Sequence, residues 1–388
     1  MHTSSYYEHS EISVLNKALG NVDDESYGRR HQMNQLFDPL TIRDRTFRNR
    51  VWVSPMCQYT AEDGLVTPWH LVHLGKFAVG GAGLVMAEST AVVPIGRSTP
   101  QDAGIWSDEQ AVAWSGTVDF VQAQGAIAGL QLGHAGRKAS ATPPWDGSRY
   151  IEAPVGWESV GPSDLGFGTL PPPRPLSTEE TALVPSQFAS AAARADQAGF
   201  DVVEIHAAHG YLIHQYLSPL SNHRTDKYGG GFENRARLLL EVAEAVRGVW
   251  PKGKPLFVRL SATDWVDGGW DIEQTVEVSR LLKREGVDLI DCSTGGVVHD
   301  ARIPIGPGYQ VEFADRVRNE AGVAVAAVGM ITEAGQANQI VSRDRADAIF
   351  MAREFLRQPH WPLLAASELG IPVEWPIQFE RARPQSGR

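Results

Sequence analysis

The sequence predicts an α/β fold, a single-domain (β/α)8 TIM barrel. Three observations predict it. Short apolar runs recur eight times along the chain. Amphipathic stretches of helical period separate them, and that alternation indicates a parallel sheet buried on both faces. No GxGxxG fingerprint follows the first run, which weakens an open, doubly wound dinucleotide-binding sheet.

The elements follow in order. Residues 1–35 are polar, with no sustained period, and are expected to form a loosely ordered extension. The barrel is expected to occupy 36–388. Its candidate strands are 51–54, 84–87, 126–132, 202–206, 256–260, 288–292, 323–328 and 348–351. Candidate helices include 107–124, 178–198, 232–249, 272–285, 311–320 and 333–341. One connection, 138–177, is much longer and carries TPPWDGSRY and TLPPPRP. It follows the third strand, so in a barrel it leaves from the catalytic face. It reads as a lid or pocket wall, or else as a solvated excursion.

Composition narrows the function. With 388 residues, 43% of them hydrophobic, the chain can bury a full core. The net charge is −11, so nothing draws it to nucleic acid or an anionic membrane. No stretch approaches a membrane span, no secretory h-region opens the chain, and the default location is the cytoplasm. Two cysteines, Cys57 and Cys292, rule out a zinc ribbon or a four-cysteine iron–sulfur site. They read as free thiols rather than a disulfide.

In a barrel the catalytic candidates are polar residues at C-terminal strand ends. The first strand runs into Ser54, Pro55, Met56, Cys57, Gln58 and Tyr59, and the second into Glu88 and Ser89. The third carries Gln131 and His134, and the fifth Arg259. The fourth gives way to His206, His209 and Tyr211 within VVEIHAAHGYL. Two imidazoles at that spacing suit a metal, with Glu204 as a third ligand. They equally suit a pair of N–H donors polarising a substrate oxygen, with Tyr211 as proton donor. Arg259 needs a buried partner, either an anionic cofactor ring or a carboxylate such as Glu88. Gly329, Met330, Ala352 and Arg353 end the last two strands, where barrels often bind phosphate. Cys57 alone reads as a small buried apolar group.

These residues form an ordered pattern. LFDPLTIRDRTFRNRVWVSPMCQY, LQLGHAGRKA, VEIHAAHGYLIHQYLSPLSNHRTDKYGG, VRLSA, AVGMIT and QFER occur in the order seen in the Old Yellow Enzyme family. The chain resembles its thermophilic-like class from Leu36 to Arg381, and in its long loop the xenobiotic reductases. The resemblance implies non-covalent FMN at the barrel mouth, with NADPH or NADH as reductant. It implies that Ser54, Pro55, Met56 and Cys57 line the flavin ring, with Cys57 tuning its potential. Ser89, Gln131 and Arg259 would contact the polar edge of the ring. Gly329, Met330, Ala352 and Arg353 would hold the phosphate. His206 and His209 would grip the substrate carbonyl, with Tyr59 opposite and Tyr211 delivering the proton. The implied reaction is ping-pong reduction of a C=C bond in enone-type and nitro compounds. Arg381 would reach the neighbouring pocket, implying a homodimer or homotetramer whose C-terminal tails cross. The usual Gly-Arg phosphate dipeptide is Ala352-Arg353 here, tolerable if φ at Ala352 is negative. A flavin-free or metal-dependent barrel lyase or isomerase is the alternative reading, and a flavin-binding sensor without turnover a third.

Overall fold

The computed structural model describes residues 35–384. The extension expected at 1–35 therefore lies, but for Gln35, outside the described residues.

Eight parallel strands close into a barrel. They are β1 Val51–Val53, β2 Leu84–Ala91, β3 Ile127–Gly133, β4 Val202–Ala207, β5 Leu256–Ser261, β6 Leu289–Ser293, β7 Ala324–Ala327 and β8 Ala348–Met351. Each pairs in parallel with its neighbour in sequence, and β8 closes on β1 through Phe350 opposite Trp52. The barrel expected from the alternating runs is thus the fold, and every candidate strand overlaps a real one.

Among the described residues, eight helices longer than two turns surround it: α1 Pro68–Val79, α2 Asp108–Ala123, α3 Thr178–Gln197, α4 Phe232–Val249, α5 Ile272–Arg284, α6 Val311–Ala321, α7 Ala334–Ser342 and α8 Trp361–Glu368, with shorter ones at Leu212–Leu217 and Arg353–Arg357. Local chemistry sets their starts. Ser107 and Ser177 open α2 and α3 with capping boxes, their hydroxyls accepting from Gln110 and Glu180 N–H groups. Asp271 caps α5 through the Gln274 N–H at 2.9 Å.

Side-chain alternation divides the core in two. Residues on the outer strand faces pack against the helices. The inner faces hold Trp52, Leu84, Met86, Val202, Phe257, Leu289 and Phe350. A hairpin, Leu40–Ile42 with Arg45–Phe47, precedes β1. It delivers Phe47 to that inner cluster, 4.7 Å from Trp52 between ring centroids. Trp52 in turn lies 5.8 Å from Phe257 and 5.5 Å from Phe350. The N-terminal end of the barrel is therefore filled by aromatic rings packed tilted, stacked and edge-on.

The β2–β3 register shifts between Ala87 and Ser89, so Glu88 is an extra, bulged residue. The 138–177 connection carries two short paired strands, Val160–Gly161 and Arg174–Pro175.

Candidate active site

The polar strand ends meet at the C-terminal mouth. Ser54 is buried, its N–H donating to the Met351 carbonyl of β8 at 2.9 Å. Pro55, Met56, Cys57 and Tyr59 follow, all half-buried. The bulged Glu88 holds this segment, since its carboxylate accepts from the Gln58 N–H at 3.0 Å. Its other oxygen lies 3.1 Å from His70 Nε2 in α1, both side chains fully buried. Cys57 and Cys292 are free thiols. Burial first, then the charges of Glu88 and Asp102, push the Cys57 thiol far up, so it stays protonated.

β4 supplies the histidines. His206 is buried, and its Nδ1 accepts from the Ala208 N–H at 3.2 Å. That assigns its proton to Nε2. Nε2 faces His209 Nδ1 across 3.4 Å. His209 Nε2 lies 2.8 Å from the Ser293 hydroxyl at the end of β6. The Tyr211 ring stands edge-on to His206, 4.9 Å between centroids. Burial first, and Arg259 second, holds both imidazoles well below their usual titration range, so both are neutral. Burial raises the Tyr211 and Tyr59 phenols, each also feeling the Cys57 thiol. Tyr59 stands edge-on to Trp145 of the long connection at 5.4 Å.

The turn that carries His209 is tightly held. His209 adopts φ +57, a left-handed conformation uncommon outside glycine. Its N–H donates to Ser261 Oγ at 2.9 Å, and Lys138 Nζ donates to its carbonyl at 2.8 Å. Lys138 also lies 3.8 Å from the Phe167 ring centroid. Gly210 faces Gly296 so closely that an added Cβ would lie 2.2 Å from the Gly296 oxygen. Tyr59 and Met330, two other residues named from the sequence, share the left-handed conformation.

Two of the alternatives that the sequence left open concern Arg259 and Glu204. Arg259 does not pair with Glu88, which His70 and the Gln58 N–H occupy. Its partner is Asp291 on β6, with Nε 3.1 Å from Oδ2. Glu204 does point into the lumen with His206, but its Oε1 accepts from Gln131 Nε2 at 2.7 Å. Among the described residues no three His, Cys, Asp or Glu side chains are grouped as a metal would need.

The last two strands form a cradle. A cavity of about 270 Å³ is lined by Gly329, Met330, Ala352, Arg353 and neighbours. Gly329 has φ +115, and a Cβ there would lie 2.7 Å from Gln310 Nε2. Only glycine lets the chain run this close. Ala352 has φ −113, so its methyl is accommodated. Arg353 is exposed at the start of a short helix, Arg353–Arg357. Gln131 is buried and Ser89 half-buried on the adjacent strands β3 and β2. Arg381 lies exposed on the turn Ile377–Ala382.

Sequence reasoning missed Ser261, Ser293, Lys138 and Gln310. Ser293 had a signal, because strand alternation places it inward with Asp291. Lys138 had none, since its position depends on how the long connection folds back.

Residues 35–370 match the NADH:flavin oxidoreductase / NADH oxidase family. An NADPH dehydrogenase of Bacillus subtilis (strain 168) is 46% identical over 349 residues, 89% of this chain and 98% of the relative. A solved morphinone reductase superposes with a TM-score of 0.74 at 29% identity, covering 88% of this chain and 91% of that one. A solved 2-naphthoyl-CoA reductase gives 0.78 at 26% identity, covering 87% of this chain. The chain spans about half of that larger protein, 52%.

Proposed function

Because the chain belongs to the NADH:flavin oxidoreductase / NADH oxidase family, we propose that this NAD(P)H-dependent flavin oxidoreductase of the Old Yellow Enzyme type is an FMN-dependent ene reductase. Its substrates are α,β-unsaturated carbonyl compounds and, by the same donor logic, nitroalkenes. One observation carries the reading: two neutral imidazoles present facing nitrogens 3.4 Å apart beside a protonated tyrosine.

The residues fit FMN. The Gly329 cradle accommodates a phosphate only because no Cβ fills it, and Arg353 at its rim is the residue type that pairs bidentately with phosphate. Met330 and Ala352 complete the cradle. Arg259 Nε is buried with no hydrogen-bond acceptor among the described residues, which suits an anionic ring edge. Ser54, Pro55, Met56 and Cys57 would line the ring, and Ser89 and Gln131 would meet its polar edge. Bound there, FMN supplies hydride acceptance from NAD(P)H and hydride delivery to the substrate β-carbon, one after the other.

The chain's own groups do the rest. A substrate oxygen between His206 Nε2 and His209 Nδ1 needs both nitrogens to donate. His206 already does so. His209 does so once its proton sits on Nδ1 and its Nε2 accepts from the Ser293 hydroxyl. A serine can donate or accept, so the exchange needs only that the Ser293 hydroxyl turn from Gln310 Oε1, 3.4 Å away, to His209 Nε2. The two donors then stabilise charge that develops on the oxygen in the transition state. Tyr211, held in its protonated form, delivers the proton to the α-carbon. Tyr59 and Trp145 close the opposite wall, so the long connection is a pocket wall. Exposed Arg381 suits a contact with the partner subunit's pocket, in a homodimer or homotetramer. The cytoplasm is the compartment that fits free thiols and a reduced nicotinamide donor.

The test is an anaerobic absorbance spectrum. Flavin bands that bleach with NADPH and return with 2-cyclohexenone support the reading. A colourless protein that FMN cannot reconstitute overturns it.

A further inference from the structure

Below the histidine pair lies a layer of buried charge that the proposed reaction does not use. Arg259 on β5 stands opposite His206 on β4 and Asp291 on β6. Glu204 precedes His206 by one inward step and holds Gln131 on β3. Glu204 and Asp291 are 0% exposed and Arg259 7%. Among the described residues, Arg259 is the only cation paired with either carboxylate. Its Nε–H is not aimed at Asp291, for neither Asp291 oxygen has a hydrogen-bond donor. Glu204 Oε2 has no partner either.

Two carboxylates against one guanidinium leave a surplus negative charge in a dry interior. An uncompensated buried charge costs several kcal/mol or more, and a carboxyl group avoids that cost by keeping its proton. Geometry says which one does. Asp291 lies 3.1 Å from the guanidinium, an ion pair without an aligned hydrogen bond. Glu204 faces an amide and is repelled by Asp291.

We propose that Glu204 and Asp291 are positioning residues of the cofactor face, aligning Gln131 and Arg259 respectively, and that Glu204 keeps the layer neutral by holding a proton. The proposal rests on the flavin reading for its consequence, though not for the proton itself. With Gln131 Nε2 donated to Glu204, Gln131 Oε1 is the end left free to accept. With Asp291 ionised and Glu204 neutral, the layer sets no surplus negative charge against a reduced, anionic flavin. The groups around Glu204 agree. Burial, then Asp291, push it up to about 8, while Arg259 and Gln131 act in the opposite sense. Burial raises Asp291 to about 6, with Arg259 opposing. His206, on the same strand, stays neutral. Above the Glu204 titration the proton leaves to solvent and the layer turns negative.

Infrared spectroscopy and redox titration test it on the full chain. In wild type at pH 7, the carbonyl stretch of a protonated buried carboxylic acid should be present. It should fade as pH is raised through the Glu204 titration. The band should be missing from Glu204→Gln, whose amide oxygen can still accept from Gln131. With FMN bound, the midpoint potential of wild type should fall more steeply above that pH than the potential of Glu204→Gln. An infrared band unaltered by both pH and substitution overturns the proposal. So do coincident potential–pH curves for the two proteins. A wild type that takes up no FMN defeats the flavin reading instead, and leaves the infrared result to decide the proton. If Glu204→Gln fails to fold, the pH titration of the wild-type band decides alone.

Discussion

Replacing Ser293 with alanine isolates the tautomer exchange from the donors themselves. The substitution removes one hydroxyl, 2.8 Å from His209 Nε2, and no group that touches substrate. In the absence of that hydroxyl, the Nδ1–H form of His209 leaves Nε2 buried without a donor. A neutral hydrogen bond contributes roughly 0.5–1.5 kcal/mol net, and a stranded buried group costs about 1–3 kcal/mol. Each 1.4 kcal/mol is about tenfold in rate. Where the two ranges meet, at about 1–2 kcal/mol, the expected loss in kcat/KM for 2-cyclohexenone is about 5- to 30-fold. Complete loss of a donor would cost more, about 100- to 1,000-fold. Steady-state kinetics read the loss, and Ser293→Thr should recover most of it. A structural effect alone could lower the rate, so a second readout is needed. The ¹⁵N chemical shifts of His209 report which nitrogen carries the proton, and a bound unreactive ketone should move it to Nδ1 in wild type only. Wild-type kcat/KM in Ser293→Ala, or the same tautomer in both proteins with the ketone bound, would refute the reasoning.

Further outcomes follow from the same geometry. His206→Ala with His209→Ala should retain flavin while enone turnover falls at least about 100-fold; turnover of cyclohexenone at the wild-type rate would remove the pair from the site. Gly329→Ala must hold φ +115 and displace Gln310, a strain of about 1–3 kcal/mol. A lower melting temperature and FMN affinity weakened by about tenfold or more are expected, by calorimetry and flavin-fluorescence titration. Both imidazoles are depressed from an ordinary 6.5. The unfolded chain therefore binds more protons below that pH, and the stability present above about 6.5 is lost as pH falls. Melting temperatures from pH 8 to 5 should show that loss, and the double alanine variant should show less of it. Glu204 has the opposite sign. Its folded value of about 8 lies above its ordinary 4.5, so its contribution is complete below 4.5 and fades as pH rises through 8. The melting-temperature gap between Glu204→Gln and wild type should widen in favour of the variant over that range.

The barrel was legible because its strands are short and apolar on both faces, a pattern few other folds share. Helices α1 and α8 were harder. His70, His73 and Lys76 interrupt the apolar period of α1, and the first two are buried because the fold uses them. His70 meets Glu88, a contact no local pattern encodes. The carboxylate beside Arg259, for which Glu88 was the example, is Asp291 for a related reason. Glu88 sits in a bulge, and a bulge shifts register without a reliable sequence mark. The residues at the strand ends were readable because barrels place their reactive groups there. Of the groups that steady them, Lys138 was not, because its place depends on how the long connection folds back, and for Ser261 and Ser293, which end β5 and β6, the strand pattern gave an inward side but not the His209 contact.

The aromatic floor also governs traffic. Phe47, Trp52, Phe257 and Phe350 leave the barrel a cul-de-sac, open at one end. Whatever visits the histidines must back out the way it came. Under the proposed function, both ligands would use that one doorway. The hairpin at the far end, remote from the strand-end residues, thereby helps keep the barrel shut on that side.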